Sequence, residues 1–242
     1  MKLQLVQLSD IHLTSDGQAV QGRDADDRLL TVVAAVQRAI AQSGRPVDLV
    51  VLTGDITDDA SEAACRRVAS AVRSLAAPVL AVPGNHDDPA IVSKIFPGTS
   101  VEFTDWRVVG IDTSRPDQIH GTVDVTHELT RLYRFDQRHT ILALHHPPLS
   151  PSTHPWFQLE HGRTFLDALA TRTHVHMIVT GHLHDPFELR ASGGPPVFGC
   201  PSTLIPITHS GPEFTIGAGS LSGARLLTMA DDGMVTSQLV LA

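Results

Sequence analysis

The chain has 242 residues, 42% of them hydrophobic, enough to bury a sizeable core in a single domain spanning 1–242. Its formal charge is −8, and its 18 Lys and Arg are not clustered, which excludes a nucleic acid polymer as the main partner. Only two cysteines, Cys65 and Cys200, are present, which excludes a disulfide framework and suits a reducing, cytoplasmic setting where both read as small buried hydrophobes. No run approaches the roughly 18 apolar residues of a membrane span, and the first apolar run, broken by Gln4 and Gln7, is not a signal peptide, so no membrane partner is expected.

Leu3–Leu8 alternates as a strand does, and after the polar stretch Thr14–Asp24 the spacing of Leu29, Val32, Val33, Val36 and Ile40 predicts a helix over Ala25–Gln42, closed by Gly44 and Pro46. Val47–Thr53 is an apolar run of the buried parallel-strand kind, Glu62–Leu75 places Ala64, Val68, Ala71, Val72 and Leu75 on one helical face, and Pro78–Val82 is again a strand. This alternation implies crossovers and a parallel or mixed sheet with helices on both faces. Pro89–Phe96 reads as a short helix, Val101–Phe103 and Arg107–Ile111 as strands, and Thr113–Gly121 as a loop. Val125–Phe135 is a helix of modest regularity, Thr140–Leu144 a strand, Leu149–Phe157 a loop, Leu159–Ala170 a helix and Val175–Thr180 a strand. Past His184 the pattern turns to hairpins, Phe187–Ala191 with Pro196–Gly199 and Ala224–Met229 with Met234–Leu241. Between them Pro206–Gly223 is Gly/Ser-rich and reads as a loop too long to be an idle connection, one that covers a site.

Five apolar runs end at once in polar clusters: Asp10-Ile-His12, Gly54-Asp55-Ile-Thr-Asp58, Gly84-Asn85-His86-Asp87-Asp88, His145-His146-Pro147-Pro148 and Gly181-His182-Leu-His184. Strand ends carrying carboxylate, imidazole and amide are how a site is built at the carboxyl edge of a sheet. Taken alone, an Asp-x-His pair is as readily a turn or a cap. Five strand-end clusters together, in a chain with 14 histidines and one tyrosine, are expected to converge on one metal centre. Imidazole, carboxylate and amide oxygen together suit Zn, Fe, Mn or Co, whereas Ca and Mg prefer oxygen alone, and the absence of thiolates argues against a structural zinc knot.

Asp10-x-His12, Gly54-Asp55-x-x-Asp58, Gly84-Asn85-His86-Asp87, His145-x-Pro147 and Gly181-His182-x-His184 resemble the five ordered motifs of the calcineurin-like metallophosphoesterases, over residues 10–184. The resemblance implies an α/β fold, a four-layer αββα sandwich of two mixed β-sheets flanked by helices, around two divalent transition metal ions. It places Asp10, His12, Asp55 and His184 on one metal and Asp55, Asn85, His145 and His182 on the other, with Asp55 as the bridge. Two such cations, about 3.5–4 Å apart, share a hydroxide and clamp both oxygens of an in-line displacement at phosphorus. In formal count they leave the centre positive by about one charge, which is how an acidic protein attracts a phosphate ester.

His86, beside Asn85, is the candidate to bind the phosphoryl group and protonate the leaving alkoxide, and Asp58 matches the family position that orients it, although Asp58 also reads as an N-cap for Glu62–Leu75. His146 is a candidate substrate contact or support. His120 and Arg115 in the 113–121 loop, and His209 in 206–223, are weaker candidates for the cleft. Gly-Asn-His-Asp-Asp, His-His-Pro-Pro and Gly-His-Leu-His are similar to class III cyclic nucleotide phosphodiesterases and related glycerophosphodiester hydrolases. The expected activity is hydrolysis of small phosphodiesters, foremost 2′,3′- and 3′,5′-cyclic nucleotides with little preference for the base, with a second subunit of a homodimer helping to close the cleft. A broad phosphomonoesterase or glycerophosphodiesterase, and a non-catalytic metal-binding or scaffold module, are the alternatives.

Overall fold

The computed structural model describes residues 2–217 and 222–242. In chain order its elements are β1 (Leu3–Leu8), α1 (Ala25–Ser43), β2 (Leu49–Thr53), α2 (Glu62–Val72), β3 (Val79–Val82), α3 (Pro89–Ile95), β4 (Ser100–Glu102), β5 (Trp106–Gly110), β6 (Gly121–Thr122), α4 (Val125–Tyr133), β7 (His139–Ala143), β8 (Leu159–Glu160), α5 (Gly162–Leu169) and β9 (Val175–Thr180). Six strands follow: β10 (Glu188–Arg190), β11 (Pro196–Gly199), β12 (Ile207–Ser210), β13 (Glu213–Ile216), β14 (Gly223–Met229) and β15 (Val235–Leu241).

The first main sheet runs β15-β14-β1-β2-β3 and the second β10-β11-β9-β7-β5-β4; both mix parallel and antiparallel pairs. Because successive strand residues point to opposite faces, each central strand feeds two cores. Leu49 and Val51 of β2 and Ile141 and Ala143 of β7 meet between the sheets, with Leu5, Trp106 and Met177. Val50 and Leu52 face outward onto Leu29, Val32 and Val36 of α1 and Val68 and Val72 of α2, whereas Leu142 and Ile178 face Leu132 of α4 and Phe165, Leu166 and Leu169 of α5. The four layers αββα are therefore those expected. No helix of the described residues is long and apolar enough to cross a membrane.

Caps set the helix boundaries. Asp24 caps α1 and Gly44 closes it in the left-handed region; Ser61, not Asp58, caps α2; Asp88 accepts from the N–H of Ala90 and Ile91 at the start of α3, with Pro89 at the first position. Asp58 is thereby freed from the capping role its spacing allowed. Two expectations change. The helix read over Leu159–Ala170 starts only at Gly162, because Leu159 and Glu160 pair in parallel with Gly121 and Thr122 and His161 turns through φ 65°. The 206–223 segment is not a plain loop: β12 and β13 form an antiparallel hairpin, turned at Gly211 and paired with neither main sheet, while 218–221 lie outside the described residues.

Candidate metal centre

The five polar clusters follow β1, β2 and β3 of the first sheet and β7 and β9 of the second, so the two sheets bring them together at their carboxyl ends. Each Asp-x-His or His-x-His pair makes the same local bend. Asp10 and His12 have φ of 53° and 54°, His182 and His184 have 70° and 54°, and the residue between, Ile11 or Leu183, is buried as an anchor. Asp55 is left-handed as well, at φ 48°. A left-handed backbone costs a non-glycine residue about 1–2 kcal/mol, and it is held here only because the surroundings over-determine it. At Gly84 the chain passes so close to Asp55 that a Cβ would collide with its carboxylate, and at Gly54, in the left-handed region itself, a Cβ would strike the ring of His145.

Four histidines share one arrangement. Nδ1 of His12 lies 2.9 Å from Oδ1 of Asp58, Nδ1 of His145 2.7 Å from the carbonyl of Thr53, Nδ1 of His184 2.8 Å from the carbonyl of Ile205, and Nε2 of His182 2.8 Å from the carbonyl of Trp156. A carbonyl, and likewise the ionised carboxylate of Asp58, only accepts, so each of these outer nitrogens carries a proton and the other nitrogen turns inward, the arrangement found around metal ligands. The inward atoms crowd. Nε2 of His12 is 3.3 Å from Nε2 of His184, and Nε2 of His145 is 3.2 Å from Oδ1 of Asn85. Oδ2 of Asp55 stands between the two groups, 3.4 Å from His145 and 3.6 Å from His12, and Oδ1 of Asp10 is 3.5 Å from His184. Lone pairs facing lone pairs at such distances need positive charge among them, so the donor set fits divalent cations.

The electrostatics show the same demand for positive charge: without a metal, His12 and His145 favour taking it up as protons, which a bound cation would displace. Burial pushes the His145 imidazolium down, yet the carboxylate of Asp55 more than offsets it and lifts His145 to about 9. Burial also works against the ionised form of Asp55, but the imidazoles of His145 and His12 hold it well below the usual carboxylate range. Burial raises Asp10, with the charge of Asp55 adding to it. His182 and His184, driven down to about 3 chiefly by burial, are neutral and therefore free to ligate.

A family model described as calcineurin-like phosphoesterase matches residues 3–186. The chain belongs to that family. It is 30% identical over 242 residues to the 3′,5′-cyclic adenosine monophosphate phosphodiesterase CpdA of Pseudomonas aeruginosa, covering 95% of this chain and 86% of that one. It is 31% identical over 237 residues to a cAMP/cGMP dual specificity phosphodiesterase of Mycobacterium tuberculosis, covering 90% of this chain and 71% of the other. Among solved structures, a dimetal phosphatase from Danio rerio superposes with a TM-score of 0.65 at 15% identity over 99% of this chain and 98% of that one, a likeness of fold.

Around this centre of the calcineurin-like phosphoesterase, the other predicted residues divide. The backbone N–H of His86 donates to Oδ1 of Asp55 at 2.9 Å; its exposed ring stands edge-on to His12, with Nδ1 3.3 Å from the carbonyl and 3.4 Å from the carboxylate of Asp58. Asp58 thus serves two imidazoles, and His12 more closely. The hydrogen bond with His12 is the main reason its carboxyl is held low. Of the two readings of His146, the geometry fits support and not substrate contact: it is fully buried, and both ring nitrogens are taken, Nδ1 by Thr113 Oγ1 at 2.9 Å and Nε2 by the carbonyl of Ile119 at 3.0 Å, so it props the 113–121 loop. His120 and Arg115 are not on the cleft lining: Nε2 of His120 lies 3.5 Å from Arg115, and Arg115 pairs with Glu160, while their neighbour Ile119 lines the cleft. His209 packs on Phe157 and donates to the carbonyl of Leu183, behind the wall and not in it.

Sequence reading missed one feature and saw only part of another. Asp87 is buried; its carboxylate accepts from the N–H of Ile56, Thr57 and Gly84 and from the hydroxyl of Thr57, tying the Gly84–Asp88 turn to the loop of Asp55. The second is the apolar lining of the cleft, where Trp156 and Phe214 stand with Ile119, Ile207 and Ile216 in the same cavity as His12, Asp55, Asn85 and His86. Its signal was the length of the 206–223 segment; within it Ile207, Phe214 and Ile216 did not stand out.

Proposed function

We propose that the chain is a metal-dependent phosphodiesterase of cyclic nucleotides that takes the base with little preference. The observation that carries this reading is the set of four imidazoles whose outer nitrogens are all bonded, so that four inner nitrogens turn toward Asp10, Asp55 and Asn85, where a cation would displace any proton they hold. In this reading Asp10, His12, Asp55 and His184 hold one divalent ion (Fe, Mn, Zn or Co) and Asp55, Asn85, His145 and His182 the other. When bound, the two ions supply the positive charge that receives phosphoryl oxygens and the acidity that makes water nucleophilic at neutral pH. The names of the two phosphodiesterase relatives support the substrate class.

The rest is the work of the chain's own residues. Asp58 faces Nδ1 of His86, which leaves Nε2 as the nitrogen for substrate. From the open side of the cleft that nitrogen gives a proton to the ester oxygen as its bond to phosphorus breaks, so the ring opens to a nucleoside monophosphate with a free hydroxyl. The buried wall of Leu204, Ile205 and Phe157 excludes bulk water from the opposite side.

The test is metal analysis together with a panel of 3′,5′- and 2′,3′-cyclic nucleotides, glycerophosphodiesters and phosphomonoesters compared by kcat/KM. About two equivalents of transition metal per chain and preference for cyclic diesters are expected. Preference for a monoester, or metal without turnover, overturns the reading.

A further inference from the structure

Seven large hydrophobic side chains are exposed among the described residues, and three of them, Ile119, Trp156 and Ile216, line the one cleft that holds the metal ligands. Single apolar residues on a surface are ordinary, whereas three converging beside a polar centre mark a surface that a ligand covers. Trp156 is 47% exposed, so about half of its surface awaits a partner.

The wall is held in place from behind. The N–H of Thr153 donates to the carbonyl of Gly211 at 2.9 Å, joining the 150–158 loop to the tip of the hairpin, and His209 fastens the hairpin to Leu183 at 2.9 Å, between His182 and His184. The ring of His154 meets Trp156 edge-on at 5.1 Å. A platform fixed in this way needs little ordering when a ligand arrives. Trp156 and Phe214 lie 5.7 Å apart with their planes inclined by 46°, so a flat ring laid on Trp156 meets Phe214 at an angle and is stacked on one face, not sandwiched. Apart from the groups of the metal end, the polar side chain on the lining is the amide of Gln21.

We propose that this apolar half is the nucleobase subsite, with Trp156 as the stacking platform and Phe214, Ile216 and Ile119 as its rim; the proposal rests on the phosphodiesterase reading above. The occupant is part of the substrate because the wall is continuous with the phosphate end of the same cleft. A planar base matches an indole face that is open on one side. With one amide and otherwise apolar neighbours, the subsite senses that a base is present far more than which base it is, since strong discrimination needs buried polar groups left unpaired by the wrong ligand.

The experiment compares kcat/KM for 3′,5′-cyclic AMP, 3′,5′-cyclic GMP and ribose 3′,5′-cyclic phosphate lacking a base, in the metal-loaded wild type and in Trp156→Ala, Trp156→Phe and Phe214→Ala. Wild type is expected to favour cyclic AMP over the abasic diester by about tenfold or more, with the two nucleotides within about tenfold of each other. Trp156→Ala should lose about 10- to 100-fold on cyclic AMP, mainly through KM, and at least about tenfold less on the abasic diester. Trp156→Phe should recover most of the loss, which a misfolded variant would not, and Phe214→Ala should fall between. Equal use of abasic and base-bearing diesters by wild type, or equal losses on both in Trp156→Ala, overturns the subsite and leaves the phosphodiesterase reading standing. If the loaded wild type turns over none of the three, that reading fails and takes the subsite with it.

Discussion

Asp87 accepts both hydrogen bonds that Thr57 can donate, from its N–H at 2.8 Å and its hydroxyl at 2.9 Å, and so locks the Gly84–Asp88 turn to the loop that carries Asp55. Its other oxygen takes the N–H of Ile56 and Gly84. Asp87→Ala leaves several buried donors without partners, at roughly 1–3 kcal/mol for each that water does not reach. A loss of about 3 kcal/mol in urea unfolding is expected, with lowered metal content although no ligand has been touched. Wild-type stability and full metal would show that the turn holds itself.

Asp55 stands between the two imidazole groups, so Asp55→Ala should abolish turnover and reduce bound metal to about one equivalent or less, because each cation loses a ligand and the screening between them. Elemental analysis of the purified variant reads this directly. Two retained equivalents with wild-type rate would move the centre elsewhere.

His86 is exposed and contributes no inward nitrogen to the cluster, so His86→Ala should keep its metal and lose roughly 10²–10⁴ in rate on alkyl leaving groups. The loss should shrink on p-nitrophenyl esters, whose leaving group needs little protonation. An equal loss on both removes the acid role and leaves stabilisation of phosphoryl charge.

Chelation should also destabilise the protein. If the ions bind the fold about a thousandfold above their dissociation constants, removing them costs about 4 kcal/mol, which for a chain of this size is roughly a 10 °C fall in melting temperature. Added Mn or Zn should restore it. A melting temperature indifferent to chelator and metal would contradict the donor set.

At the opposite ends of β7 and β9, Nδ1 of His139 and Nε2 of His176 are 2.7 Å apart, while Nε2 of His139 donates to the carbonyl of Asp231. One proton is shared where two would repel. Burial, with the charges of His139 and His174 adding to it, pushes His176 below its ordinary value, so the fold prefers it neutral. The sign follows: below about pH 6.5 the unfolded chain takes up the proton more readily, and stability falls as pH drops toward the lowered folded value. Melting curves from pH 8 to 5 should show a slope that His176→Gln reduces; an unchanged slope would clear the pair of this role.

The convergence of the polar clusters was legible because an apolar strand that stops at a carboxylate or imidazole has nowhere to put that group except the sheet edge. Adjacent histidines were harder to separate: His145 and His146 both follow β7, and only the fold shows that the second spends its nitrogens on Thr113 and Ile119. Asp87 lay in a run of polar residues, and its partners Ile56 and Thr57 are 31 and 30 positions away. The hairpin was hidden by four-residue strands within Gly/Ser-rich sequence, too short for alternation to outweigh composition. Leu159 and Glu160 fit a helical period until their pairing with Gly121 and Thr122 claimed them.

The proposed ligands divide between the layers: Asp10, His12, Asp55 and Asn85 follow strands of the first sheet, His145, His182 and His184 strands of the second. On the proposed assignment neither ion can be satisfied by one sheet alone. Each is a rivet through both, and loading must follow their docking during folding. Metal capture would then be a clock for the last assembly step: in a refolding experiment, it should lag the burial of Trp106 between the sheets and coincide with the gain of activity.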